Sequence, residues 1–100
     1  MASSISFKDY VLDQLRSLSG VNLKPMMGEF LLYYNGILFG GIYDDRLLMK
    51  ITDNNKKYSL PKEMPYPNAK PMFVVTDIDN ADFLAQIIET TCNDLKNKKT

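Results

Sequence analysis

Histidine is absent from this sequence and cysteine occurs once, at Cys92. Without an imidazole there is no Ser-His-Asp or Cys-His nucleophile, no HExxH zinc site and no histidine general base. A lone cysteine cannot close an internal disulfide, whereas small extracellular domains usually carry several, so the expected compartment is the reducing cytoplasm. No charge of one sign dominates, because lysine plus arginine and aspartate plus glutamate both number 12. They also divide evenly, with five of each sign before residue 51 and seven of each from there on. Nonspecific nucleic-acid binding depends on neutralising phosphates, so direct binding to DNA or RNA is disfavoured unless a basic patch is concentrated locally. Long apolar runs are missing too. No segment approaches the roughly 20 apolar residues that span a bilayer, and Met1 to Tyr10 lack the apolar core of an export signal. No membrane association is expected.

What is present suits one ordinary globular domain over residues 1–100. Hydrophobic residues make up 45% of the chain, and a chain of this length buries about two-thirds of the surface that its unfolded form exposes. That is enough for one core. Residues 6–18 repeat Phe7, Tyr10, Val11, Gln14, Leu15 and Leu18 at helical steps, with Ser6 as the expected N-cap, Asp9 favoured by the dipole and Gly20 as the stop.

From Val21 to Ile51 the pattern changes to short β-rich runs. Asn35-Gly36 predicts a type I′ turn pairing Phe30–Tyr34 with Ile37–Tyr43. Asp44-Asp45 predicts a second two-residue turn leading into Arg46–Ile51, and Val21–Met27 adds an earlier strand. Several of these strands are apolar on both faces, so each face needs a cover: helices on one side with loops on the other, or a second subunit. A short helix is expected within 53–58. Pro61, Pro65, Pro67 and Pro71 make the next stretch a shaped loop or edge hairpin. Met72–Thr76 reads as a strand. Asp79 and Asp82 open a last helix, with a lysine-rich tail fraying from Asn93. The expected fold is therefore α+β, a two-layer domain whose antiparallel meander is flanked by N- and C-terminal helices. Its order is α-β-β-β-β-(short α)-β-β-α.

Met1-Ala2-Ser3-Ser4 with Asp9-Tyr10-Val11-Leu12-Asp13-Gln14-Leu15 forms one block of a larger pattern. Met26-Met27-Gly28-Glu29-Phe30 with Tyr33-Tyr34, and Gly40-Gly41-Ile42-Tyr43-Asp44-Asp45-Arg46, form two more. Met64-Pro65-Tyr66 with Ala69-Lys70-Pro71-Met72 completes it. Together these blocks resemble the amino-terminal domain of the TfoX/Sxy competence regulators over nearly the whole chain. The resemblance implies a regulatory association. Two-domain members carry a further carboxy-terminal domain and act as coactivators of competence genes alongside the cyclic-AMP receptor protein. This chain reads as a stand-alone single-domain member.

Chemistry-bearing motifs have modest readings. Asp44-Asp45 resembles an acid-base or Mg²⁺ pair, but adjacent strand residues face opposite ways and aspartate suits turns. Gly40-Gly41 lacks the spacing and following helix of a phosphate loop, so a bulge or close packing is expected. Tyr33, Tyr34 and Tyr43 suit sheet packing or partner contact better than base stacking. Cys92 reads as a buried, inert thiol. The basic tail around Lys96, Lys98 and Lys99 reads as a solvated helix end.

No catalytic residue, cofactor or metal site is assigned. The leading expectation is a nonenzymatic regulatory module that binds another protein, or itself as a homodimer, through the sheet or its edge. The alternative is a small-ligand or nucleotide-binding domain using Gly40-Gly41, Arg46 and Lys50 as anion contacts. Candidate contact residues are Glu29, Tyr33, Tyr43, Asp45, Arg46 and Lys50.

Overall fold

A computed structural model describes residues 4–97; Met1 to Ser3 of the family-like pattern and Lys98 and Lys99 of the tail lie outside the described residues. Helix α1 is Ile5–Gln14. Its cap is Ser4 instead of Ser6, the Ser4 hydroxyl accepting the Phe7 amide at 3.1 Å. Asp9 meets Lys8 at 2.7 Å. The helix stops short of residue 18 because Arg16-Ser17-Leu18-Ser19-Gly20 includes two serines and a glycine, which are weaker helix formers. Leu15 nevertheless enters the core, with Leu18 packed beside it.

Strands β1 (Val21–Met26), β2 (Glu29–Tyr34), β3 (Ile37–Tyr43) and β4 (Arg46–Met49) form the expected meander. Its three turns are Met27-Gly28, Asn35-Gly36 and Asp44-Asp45, and both residues of each have positive φ. That geometry matches the right-handed twist of paired strands. The short helix expected within 53–58 is a 3-10 turn, Asn55–Tyr58. Beyond it, β5 (Lys62–Glu63) and β6 (Met72–Val74) pair as an edge hairpin around the proline-rich loop. β6 ends two residues earlier than expected. It also inserts beside β4, so the six-stranded order is β1-β2-β3-β4-β6-β5.

Helix α2 is Ala81–Asn97. Its cap is the Asn80 carboxamide, which accepts the Phe83 amide at 3.1 Å, while Asp79 accepts the Tyr10 hydroxyl. The helix passes Asn93 without fraying there. Asp94 accepts the Asn54 backbone amide at 2.8 Å and the Asn54 side chain at 2.5 Å, and Leu95 packs against the core. These hydrogen bonds lower the Asp94 carboxyl below its ordinary value, with the Thr52 hydroxyl beside it as the largest cause.

Both helices cover the same face of the sheet. Leu84, Ile87, Ile88 and Cys92 of α2 and Val11 of α1 pack on Leu32, Phe39, Ile42, Leu47 and Met49. Complete burial of each such aliphatic side chain contributes about 1.5–3 kcal/mol. The opposite face, called the outer face below, holds a smaller cluster of Tyr43, Leu48 and Val74 with Leu31 and Met72 against it. The two-sided apolar strands therefore have helices on one side and a loop over part of the other.

Candidate functional site

The outer face owes its shape to β3. Leu32 pairs with Gly40 and Tyr33 with Leu38, leaving Phe39 as the extra residue of a bulge. A Cβ on Gly40 would lie 2.1 Å from the Leu48 carbonyl oxygen, and one on Gly41 would lie 2.5 Å from the Phe30 carbonyl oxygen. Glycine is required at both because neighbouring backbones occupy the side-chain space. The Tyr43 ring lies over Gly41, its Cε1 2.9 Å from where that Cβ would sit.

Arg46, opposite Tyr43 in the ladder, holds the proline-rich loop. Its guanidinium donates to the Tyr43 carbonyl at 3.2 Å, to the Glu63 carboxylate at 2.5 Å and to the carbonyls of Met64 and Pro65 at 3.4 and 3.5 Å. A turn follows, closed by the Ala69 amide on the Tyr66 carbonyl at 3.1 Å with Asn68 at φ 70°. The loop thereby arches over the outer face.

Between loop and sheet lies a hollow of about 490 Å³. Pro65, Tyr66 and Pro71 face Leu38, Tyr43 and Ile51 across it, with Gly40 in its lining and Lys50 and Lys70 beside them. Lys50 is fixed at its root: its amide donates to the Phe39 carbonyl at 2.9 Å, and its carbonyl accepts from Asn55 at 2.8 Å. Asn55 is fully buried and also bonds the Thr52 amide and the Thr91 hydroxyl, at 2.7 and 2.8 Å. Burial pushes the Tyr43 phenol above its ordinary value, and nearby Tyr66 and Glu29 add to the effect. Tyr43 therefore remains a protonated hydrogen-bond donor near neutral pH.

A second hollow, of about 590 Å³, opens on the other side of Pro65 and Tyr66, lined by Glu29, Asp44, Arg46, Glu63 and Met64. Both Glu29 carboxylate oxygens accept the Asp44 amide at 3.1 Å, and Asp45 accepts the Ser4 amide at 2.7 Å. The acidic pair therefore shapes a turn and ties the start of α1 to it. No three His, Cys, Asp or Glu side chains among the described residues converge as a metal-ligand set.

Of the residues singled out in the sequence, Tyr43 and Lys50 share the first hollow, and Glu29 and Arg46 the second. Tyr33 is half-buried beyond both, and Asp45 serves the α1 contact. Met27, Met64, Tyr66 and Lys70 were not singled out. The first three carry one sequence signal, large apolar residues inside turn or proline-rich segments. Lys70 carries none, because its position follows from where the loop lies.

Residues 13–92 match the TfoX N-terminal domain. The chain is also 34% identical, over 80 residues, to an uncharacterized 12.7 kDa protein in the trpE 5′ region of Spirochaeta aurantia. That match covers 78% of this chain and 70% of the relative.

Proposed function

The chain belongs to the TfoX N-terminal domain family, and on that premise we propose that it is a nonenzymatic regulatory module that binds a partner protein through one end of its sheet. The carrying observation is where the exposed apolar side chains gather. Met27 is 97% exposed, Ile5 67% and Tyr66 59%, with Met26 and Met64 also exposed. Met26 pairs with Glu29, and Glu29 shares the second hollow with Met64 and Tyr66. Ile5 follows Ser4, whose amide Asp45 holds.

Scattered exposed apolar residues are ordinary, but their concentration at one end marks an interaction surface. Methionine adapts its shape to a partner, and tyrosine combines an apolar ring with a hydrogen-bonding tip. Met27 also holds φ 51°, a left-handed conformation costing roughly 1–2 kcal/mol that asparagine or glycine adopts more readily. A strained and almost fully exposed methionine is poorly explained by stability. The sheet edges are less inviting. β1 carries Lys24 and Pro25, and β5 is two residues long, both ways of blocking strand addition. The setting we assign is cytoplasmic control of gene expression, following the family resemblance.

Met27→Asn tests this reading. The substitution should raise stability by about 0.5–1 kcal/mol in urea unfolding, yet lower capture of the partner from source-cell lysate at least tenfold. Equal capture by Met27→Asn and by a Met64→Ser/Tyr66→Ser chain would overturn the surface assignment. If the partner is a second copy, sedimentation of the pure chain shows a dimer that Met27→Asn dissociates.

A further inference from the structure

We propose that the hollow between the outer face and the proline-rich loop binds a small planar organic acid, such as an aromatic carboxylate. This goes beyond the protein-binding reading and uses different residues. The volume, about 490 Å³, falls in the range of small-ligand sites, which are mainly apolar with a few convergent polar groups. Here the walls are Pro65, Tyr66, Pro71, Leu38, Tyr43 and Ile51, an apolar set that includes two aromatic rings.

The charge in the hollow has one sign. Lys50 and Lys70 line it and no aspartate or glutamate does. Neither lysine forms an ion pair among the described residues, whereas nearby Arg46 is matched by Glu63 at 2.5 Å. Lys50 and Lys70 therefore bring two cations without an ion pair to a hollow that the loop and the sheet wall together. Lys50 is half-buried, and partial desolvation strengthens a charge contact. Its backbone is held by Phe39 and Asn55, which fixes where the side chain leaves the sheet.

The two phenols complete the polar set. Tyr43 and Tyr66 both line the hollow, and a phenol hydroxyl is a donor suited to a carboxylate. The ring-lined walls then accept its apolar body. Free phosphate would satisfy the lysines but leave those walls unused, and a neutral ring would leave the lysines unpaired. Recognition should need both parts.

The test is an NMR titration of the full ¹⁵N-labelled chain with naphthalene-2-carboxylate, alongside naphthalene-2-methanol and inorganic phosphate. Saturable one-site shifts are expected at the amides of Gly40, Tyr43, Lys50 and Lys70. The alcohol, phosphate and the Lys50→Gln/Lys70→Gln chain should each show affinity about tenfold weaker or worse, the usual scale of a charge-assisted contact. Met27→Asn should leave the titration unchanged. Ala69→Trp, which fills the hollow and alters neither charge, should abolish the shifts. Absence of saturation at millimolar carboxylate, equal binding of the alcohol or phosphate, or undiminished binding by either folded variant would overturn the proposal.

Discussion

A single methyl group measures how closely the strands approach at Gly40. Gly40→Ala places a Cβ 2.1 Å from a carbonyl oxygen, and backbone cannot yield as a flexible side chain can. The expected loss is roughly 3 kcal/mol, read as a lower urea midpoint. Reading Gly40-Gly41 as a bulge or close-packing site was open to sequence reasoning, since that dipeptide lacked every other requirement of a phosphate loop. Cys92 was also legible as a buried thiol, and burial pushes it up from 9.0 to about 11. The sign follows from proton binding: between these values the unfolded thiol releases its proton first. The resulting stability is complete below about pH 9 and lost as pH rises towards about 11, on the order of 2 kcal/mol in all. Urea unfolding at about pH 8 and about pH 10.5 should show a steeper decline for the natural chain than for Cys92→Ala. Asn55 had no such sequence signal, because its partners Lys50, Thr52 and Thr91 are brought to it by a 3-10 turn and a distant helix.

At the scale of elements, the turns were the most legible features. Asn35-Gly36 and Asp44-Asp45 encode their positive φ within two residues. Helix ends were less so: α1 and α2 use Ser4 and Asn80 as caps, where Ser6 and Asp79 were equally good local candidates. The proline-rich loop was recognisable as irregular but not as a wall of a hollow. Arg46 decides that, through its contacts to Glu63, Met64 and Pro65. Arg46→Met should free the loop while leaving the core intact. Hydrogen exchange within residues 64–70 is expected to quicken at least tenfold, with global stability falling by less than about 1 kcal/mol because the ion pair is partly exposed. Unchanged loop exchange would show that the prolines alone hold it.

For the whole molecule, the six-stranded order leaves β1 and β5 as edges. Pro25 supplies no amide donor, so β1 is a poor template for another strand. Pro25→Val should restore that donor and produce concentration-dependent association, visible as rising light scattering at high protein concentration. A chain that stays as it was would place the edge protection in Lys24 or in strand twist. Helices, turns and the meander were determined by the sequence itself, because each depends on residues a few positions apart. The insertion of β6 between β4 and β5 was decided by tertiary structure. So were the use of Arg46 as a clamp, the meeting of Lys50 and Lys70 at one hollow, and the gathering of Met27, Met64 and Tyr66 at one end. These juxtapositions join residues far apart in the chain, and only sheet register and loop packing bring them to the same part of the molecule.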